Sequence, residues 1–102
     1  MSHVPGQVYR RMDRPDALVV VLSSEQSNHR TGWVTVCMYS LTGLVGNLAD
    51  ASQFHSLAPA PGYVTWTIHQ SVPAAELVAP VGDVETAAIA AARFAMEARF
   101  SH

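Results

Sequence analysis

Lysine is absent from this chain of 102 residues. All six basic side chains are arginines, and eight acidic ones leave a formal charge of −2. A globally basic, nucleic-acid-binding surface is thereby excluded, while a local arginine cluster is not. Cysteine occurs once, as Cys37, so no internal disulfide can form. Charged residues make up 14% of the chain, against about 25% in a typical soluble domain. Hydrophobic residues reach 49%, which excludes an intrinsically disordered chain. So much apolar surface beside so little charge implies a partner. Long apolar runs are also missing: residues 17–22 are far short of the ~20 that a membrane helix needs. The start, Met1-Ser2-His3-Val4-Pro5, has no apolar signal-peptide core. The expectation is a cytoplasmic protein away from the membrane. The length fits a single domain over residues 1–102, with a small core that dimerisation would help.

What is present divides into a strand-rich front and a helical tail. Residues 6–10 predict a short opening strand, and Arg14-Pro15 a turn, because Pro15 biases Arg14 away from helix. Residues 17–23 are rich in β-branched side chains and predict a buried strand. Residues 24–32 are polar and read as a connection. Residues 33–40 predict the next strand, and residues 41–57 fit a helical turn or an irregular strand equally. Pro59, Pro61 and Gly62 break the chain. Residues 63–69 alternate, with Val64, Trp66 and Ile68 on one face and Tyr63, Thr65, Thr67 and His69 on the other. Residues 76–79 predict a short strand or turn. Gly82-Asp83 then supplies a stop and an N-cap, and a helix runs from Val84 to the end. Ile89, Ala92, Met96 and Phe100 form its apolar face. Glu85 and Arg99 sit at the ends that the helix dipole favours. Trp33 and Trp66 read as core or dimer contacts.

General motifs of chemistry are missing. The five histidines lie at no metal-ligand spacing, and neither a metal nor a cofactor is expected. Gly43 and Gly46 lack the spacing and the lysine of a phosphate loop. The serines form no nucleophile elbow. Cys37, inside an apolar strand, reads as a small buried hydrophobe. Arg10, Arg11 and Arg14 form the basic cluster, either a solvated strand edge or a patch for an anion or acidic partner.

The order of the pieces carries more. Gly6-Gln7-Val8-Tyr9 precedes an Arg14-Pro15 pair that leads into the strand ending at Ser23. A Val-rich strand ending in Ser40 follows. Later come Thr67-Ile68-His69-Gln70, then Leu77 through Gly82, then the helix. In this order the chain resembles the MazF/PemK/Kid toxin endoribonucleases over roughly residues 4–100. The resemblance implies a mainly β fold, a small SH3-like barrel with a packed C-terminal α-helix, in a homodimer. It implies a toxin that cleaves single-stranded RNA without metal, through attack of a ribose 2′-hydroxyl on the adjacent phosphate. It implies an antitoxin partner. Carried over by position, Arg14 and Ser40 take the catalytic roles. Arg10, Arg11, His69 and Gln70 fall where RNA would be held. Only residues 10–13 separate Tyr9 from Arg14, where the family carries a long loop. The competing reading is a non-enzymatic protein on the same scaffold that inhibits a host or cellular protein.

Overall fold

The computed structural model describes residues 3–12, 17–40, 53–56 and 62–100. Six strands pair antiparallel in one sheet: β1 (Gln7–Arg10), β2 (Leu18–Val21), β3 (Trp33–Ser40), β4 (Gln53–Ser56), β5 (Gly62–Pro73) and β6 (Pro80–Asp83). Helix α1 (Glu25–Thr31) joins β2 to β3, and α2 (Thr86–Phe100) follows β6. The spatial order is β4-β5-β3-β2-β1-β6. The class is therefore mainly β with a C-terminal helix, as expected. Among the described residues the sheet keeps two edges, β4 and β6, and is not closed into a barrel.

Alternation along the strands feeds two cores. Val8, Leu18, Val20, Cys37, Tyr39, Val64 and Trp66 face α2 and meet its Ala88, Ile89 and Ala92. Tyr9, Val19, Val21, Val34, Val36, Val72 and Leu77 form the second core on the opposite face. The register explains the sorting. Val20 stands opposite Cys37 and Leu18 opposite Tyr39, while Val21 stands opposite Val36 and Val19 opposite Met38. Residues opposite one another share a face, so one β-branched strand contributes to both cores. Removing a fully buried valine side chain from water is worth about 1.5–3 kcal/mol. Val8, Val20, Val21, Val34, Val36 and Val64 are all sealed from solvent in this way.

Three expectations are corrected. Residues 24–32 are not a plain connection but hold α1. Ser24 caps its start by accepting from Ser27 N at 3.2 Å. Gly32 ends it in the left-handed region at φ 75°, donating its N–H to Asn28 O. The helix has no apolar stripe, since Asn28 is its one buried residue. Asn28 donates to His3 O at 2.8 Å and Ser23 O at 3.1 Å, and accepts from the Ser23 hydroxyl. Ser23 Oγ in turn accepts from Thr35 N at 2.9 Å. A polar clasp thus holds α1 where a hydrophobic face would otherwise do so.

The second correction concerns Gly82-Asp83, which does not cap the helix. Pro80–Asp83 is strand β6, with Asp83 opposite Gln7 and Gly82 opposite Val8. The strand lies at the sheet edge, where a proline without an N–H is tolerated. Helix α2 begins at Thr86, and its first hydrogen bonds run to Glu85 O. Residues 74–76 form a single 3-10 turn in place of the strand or turn expected at residues 76–79.

The third correction is in β5. Val64 and Trp66 do face α2, but Ile68 does not continue their stripe and is exposed. Thr65 pairs with Met38, yet His69 pairs with Cys37, the very next residue of β3. Trp66, Thr67 and Ile68 are thus extra residues in β5, an extended bulge that breaks the period of two. Trp66 is the core residue of the two tryptophans; Trp33 is 54% exposed.

Candidate functional site

The bulge lines a cleft. It has a volume of about 290 Å³ and is lined from β2, β3, β5 and the residue that follows β1. Its floor is apolar, with Val19 from β2, Val36 and Met38 from β3, and Ile68 from β5. Its polar groups are Arg11, His69 and Gln70. Gln70 is placed by its register opposite Val36, one step past the bulge.

The His69 ring folds back on the bulge. Its Nδ1 lies 2.9 Å from Trp66 O. A carbonyl only accepts, so Nδ1 carries the hydrogen and donates, which leaves Nε2 as the other working atom. Arg11 follows directly after β1, with its N–H directed to Ala17 O at 3.4 Å. Its Nη2 stands 3.5 Å from Glu76 Oε1, on the 3-10 turn. That ion pair is long and partly exposed, so it steers the guanidinium more than it stabilises the fold.

Cys37 also lines the cleft and stands opposite His69 in register. It is nevertheless not an activated nucleophile. Burial pushes its thiol up to about 12, and a thiol that stays protonated does not attack. Its packing confirms the reading of Cys37 as a small buried hydrophobe. Tyr9, in the second core, is held above its ordinary value by burial and by the nearby Asp83 carboxylate. Its hydroxyl donates to Gln7 Oε1 at 2.8 Å.

Of the six site residues expected from the sequence, three meet here: Arg11, His69 and Gln70. Arg10, opposite Leu18 in register, is not among the residues that line the cleft. Ser40 ends β3 opposite Tyr63, two positions beyond Met38. Arg14 lies outside the described residues. Sequence reasoning missed the cleft floor, Met38 and Ile68, because alternation alone assigns Ile68 to the core. It also missed Glu76 as the partner of Arg11, which no local pattern links across so long a stretch of chain. Among the described residues no three His, Cys, Asp or Glu side chains gather as a metal site requires. None of their helices is long and apolar enough to cross a membrane.

With this geometry in view, solved structures place the architecture. The chain superposes on an endoribonuclease from a mycobacterial species with a TM-score of 0.74 at 19% identity, over 96% of this chain and 90% of that one. The same enzyme type in complex with its cognate antitoxin gives 0.75 at 20% identity, over 94% and 92%. A MazE-MazF structure from Deinococcus radiodurans gives 0.78 at 13% identity, over 99% and 97%. No protein-family model matches the chain, and no curated protein matches it in sequence. The architecture is that of toxin endoribonucleases found with antitoxins. More narrowly, the chain has the MazF fold, in agreement with the resemblance read from its motif order.

Proposed function

We propose that this protein is a MazF-like toxin that cleaves single-stranded RNA without metal. The observation that carries the reading is the cleft beside the β5 bulge, where a MazF-type fold gathers Arg11, His69 and Gln70 over an apolar floor. Phosphodiester cleavage by a neighbouring 2′-hydroxyl needs a route for a proton and positive charge against the phosphorane oxygens. Arg11 supplies charge with a planar fork that matches a phosphate. By their positions in the motif order, Arg14 takes a phosphate-binding role and Ser40 donates to a phosphate oxygen. Arg10 binds the RNA backbone beyond the cleft, and Gln70 meets a base or sugar edge. The site of action is the cytoplasm. The partners are a second copy of the chain and an antitoxin, which would cover exposed apolar residues such as Trp33 and Phe94, the latter 74% exposed.

The test uses the purified protein and a single-stranded RNA in EDTA. The expected products carry a 2′,3′-cyclic phosphate and a 5′-hydroxyl. Arg14→Ala and Ser40→Ala are expected to lose both cleavage and growth arrest. RNA left intact by the folded native protein overturns the reading. Recovery of one stoichiometric cellular protein by that same inactive sample would favour an inhibitor that binds and does not cut.

A further inference from the structure

The polar groups of the cleft differ in what they can do with a proton. The Arg11 guanidinium is charged throughout the working range and has no lone pair to offer. The Gln70 amide does not titrate. Cys37 is sealed in the core, and burial keeps its thiol protonated. His69 alone among the cleft residues can both take up a proton and return it. Its ring is also the one held in a fixed tautomer, because Nδ1 is committed to Trp66 O at 2.9 Å. That carbonyl belongs to the first residue of the bulge, so the feature that lines the cleft also orients the imidazole. A carbonyl behind Nδ1 serves both forms of the ring. It accepts from Nδ1–H whether or not Nε2 carries a proton, so the ring keeps its orientation through the transfer.

Resting on the ribonuclease reading above, we propose that His69 is the proton-transfer residue of this cleft, with Nε2 as its working atom and the Trp66 carbonyl as its positioning group. Nε2 accepts the proton of the ribose 2′-hydroxyl as the 2′-oxygen forms its bond to phosphorus. The bond from phosphorus to the 5′-oxygen breaks. The imidazolium gives its proton to that leaving oxygen, and His69 ends neutral. One proton has moved from the 2′- to the 5′-oxygen, and no co-reactant is consumed. Arg11, held by Glu76, faces the phosphate oxygens while the charge develops.

His69→Asn separates orientation from chemistry. The asparagine amide nitrogen takes the place of Nδ1 and can still donate to Trp66 O, but nothing takes the place of Nε2. The expected result is an unchanged fold by circular dichroism and a cleavage rate lower by about 10²-fold or more. His69→Ala supplies the second arm, because His69 is exposed and free imidazole can enter its place. Added imidazole is expected to restore cleavage to His69→Ala in a saturable way, and to leave the native rate unchanged. If His69→Asn cleaves within about threefold of an active native protein, the proposal is overturned while the ribonuclease reading stands. Failure of imidazole to restore a folded His69→Ala variant overturns it equally. If the native protein itself cuts no RNA, it is the ribonuclease reading that has failed.

Discussion

Under α2, Val8, Val20, Cys37, Val64 and Ala92 are closed off from solvent, and the helix continues that seal along the sheet. On the opposite face Val19, Val21, Val34 and Val36 are buried as well, but the face does not stay closed. It runs out at Met38 and Ile68, 37% and 46% exposed, beside Arg11 and His69. The same strands build both faces, so the difference does not come from β propensity. It comes from cover. Among the described residues, one face has a 15-residue helix over it, and the other has Leu77 and a single 3-10 turn. The closed face does the work of stability. The open one leaves apolar floor and polar rim together, the mixture that ligand clefts use.

That division can be broken from the closed side first. Val20→Asp would bury an unpaired carboxylate where the sheet meets α2, at a cost of more than about 4 kcal/mol. Urea unfolding should find little native protein left. The pH dependence of stability gives the next largest effect. Cys37 has an ordinary thiol value near 9 when unfolded and about 12 when folded. The folded state therefore holds its proton while the unfolded state loses it. Stability is fully present below pH 9 and falls as pH rises toward 12, by at most about 1.4 kcal/mol per pH unit. Iodoacetamide at pH 8 should leave Cys37 unmodified in folded protein and alkylate it in urea.

From the open side, Arg11→Ala should lower RNA cleavage about tenfold to a hundredfold. It should change stability by less than about 1 kcal/mol, because its ion pair with Glu76 is long and partly exposed. Loss of stability on the scale of Val20→Asp would contradict the split between the faces. The smallest effect lies outside both. Gly32→Ala meets no atom within 4 Å, so only its φ of +75° opposes the change. Thermal unfolding should register about 1 kcal/mol.

Much of the closed face was legible in the sequence. The β-branched run at residues 17–23 and the apolar face through Ile89 and Ala92 follow the periods of strand and helix, and burial follows those periods. The open face was less legible, for local reasons. Helix α1 is held by Asn28 and its two caps rather than by an apolar stripe, so a search for period 3.6 passes over it. The signals present were Ser24 and Gly32, which read equally well as loop residues. Strand β6 contains Pro80 and Gly82, residues that mark turns except at a sheet edge. The bulge in β5 contains no glycine or proline, and Val64, Trp66 and Ile68 look like uninterrupted alternation. Only pairing with β3 reveals it. The candidate site divides in the same way. His69 and Gln70 were readable from motif order, whereas their meeting with Arg11 depends on the bulge and on Glu76. Arg14 remains an assignment by motif order alone.

The placement of β6 outside β1 has a consequence for how the chain is made. During synthesis β1 can find β2 early, since the two are neighbours in sequence and in space. The outer edge of β1 then stays bare until residues 80–83 leave the ribosome, long after β1 itself. For that whole interval a nascent chain carries an open row of N–H and C=O groups next to a valine-rich sheet, a template for unwanted pairing with other chains. Pro80 shows how the hazard ends. The last strand to arrive brings a residue with no N–H to offer, so the edge that remains is a poor template in turn.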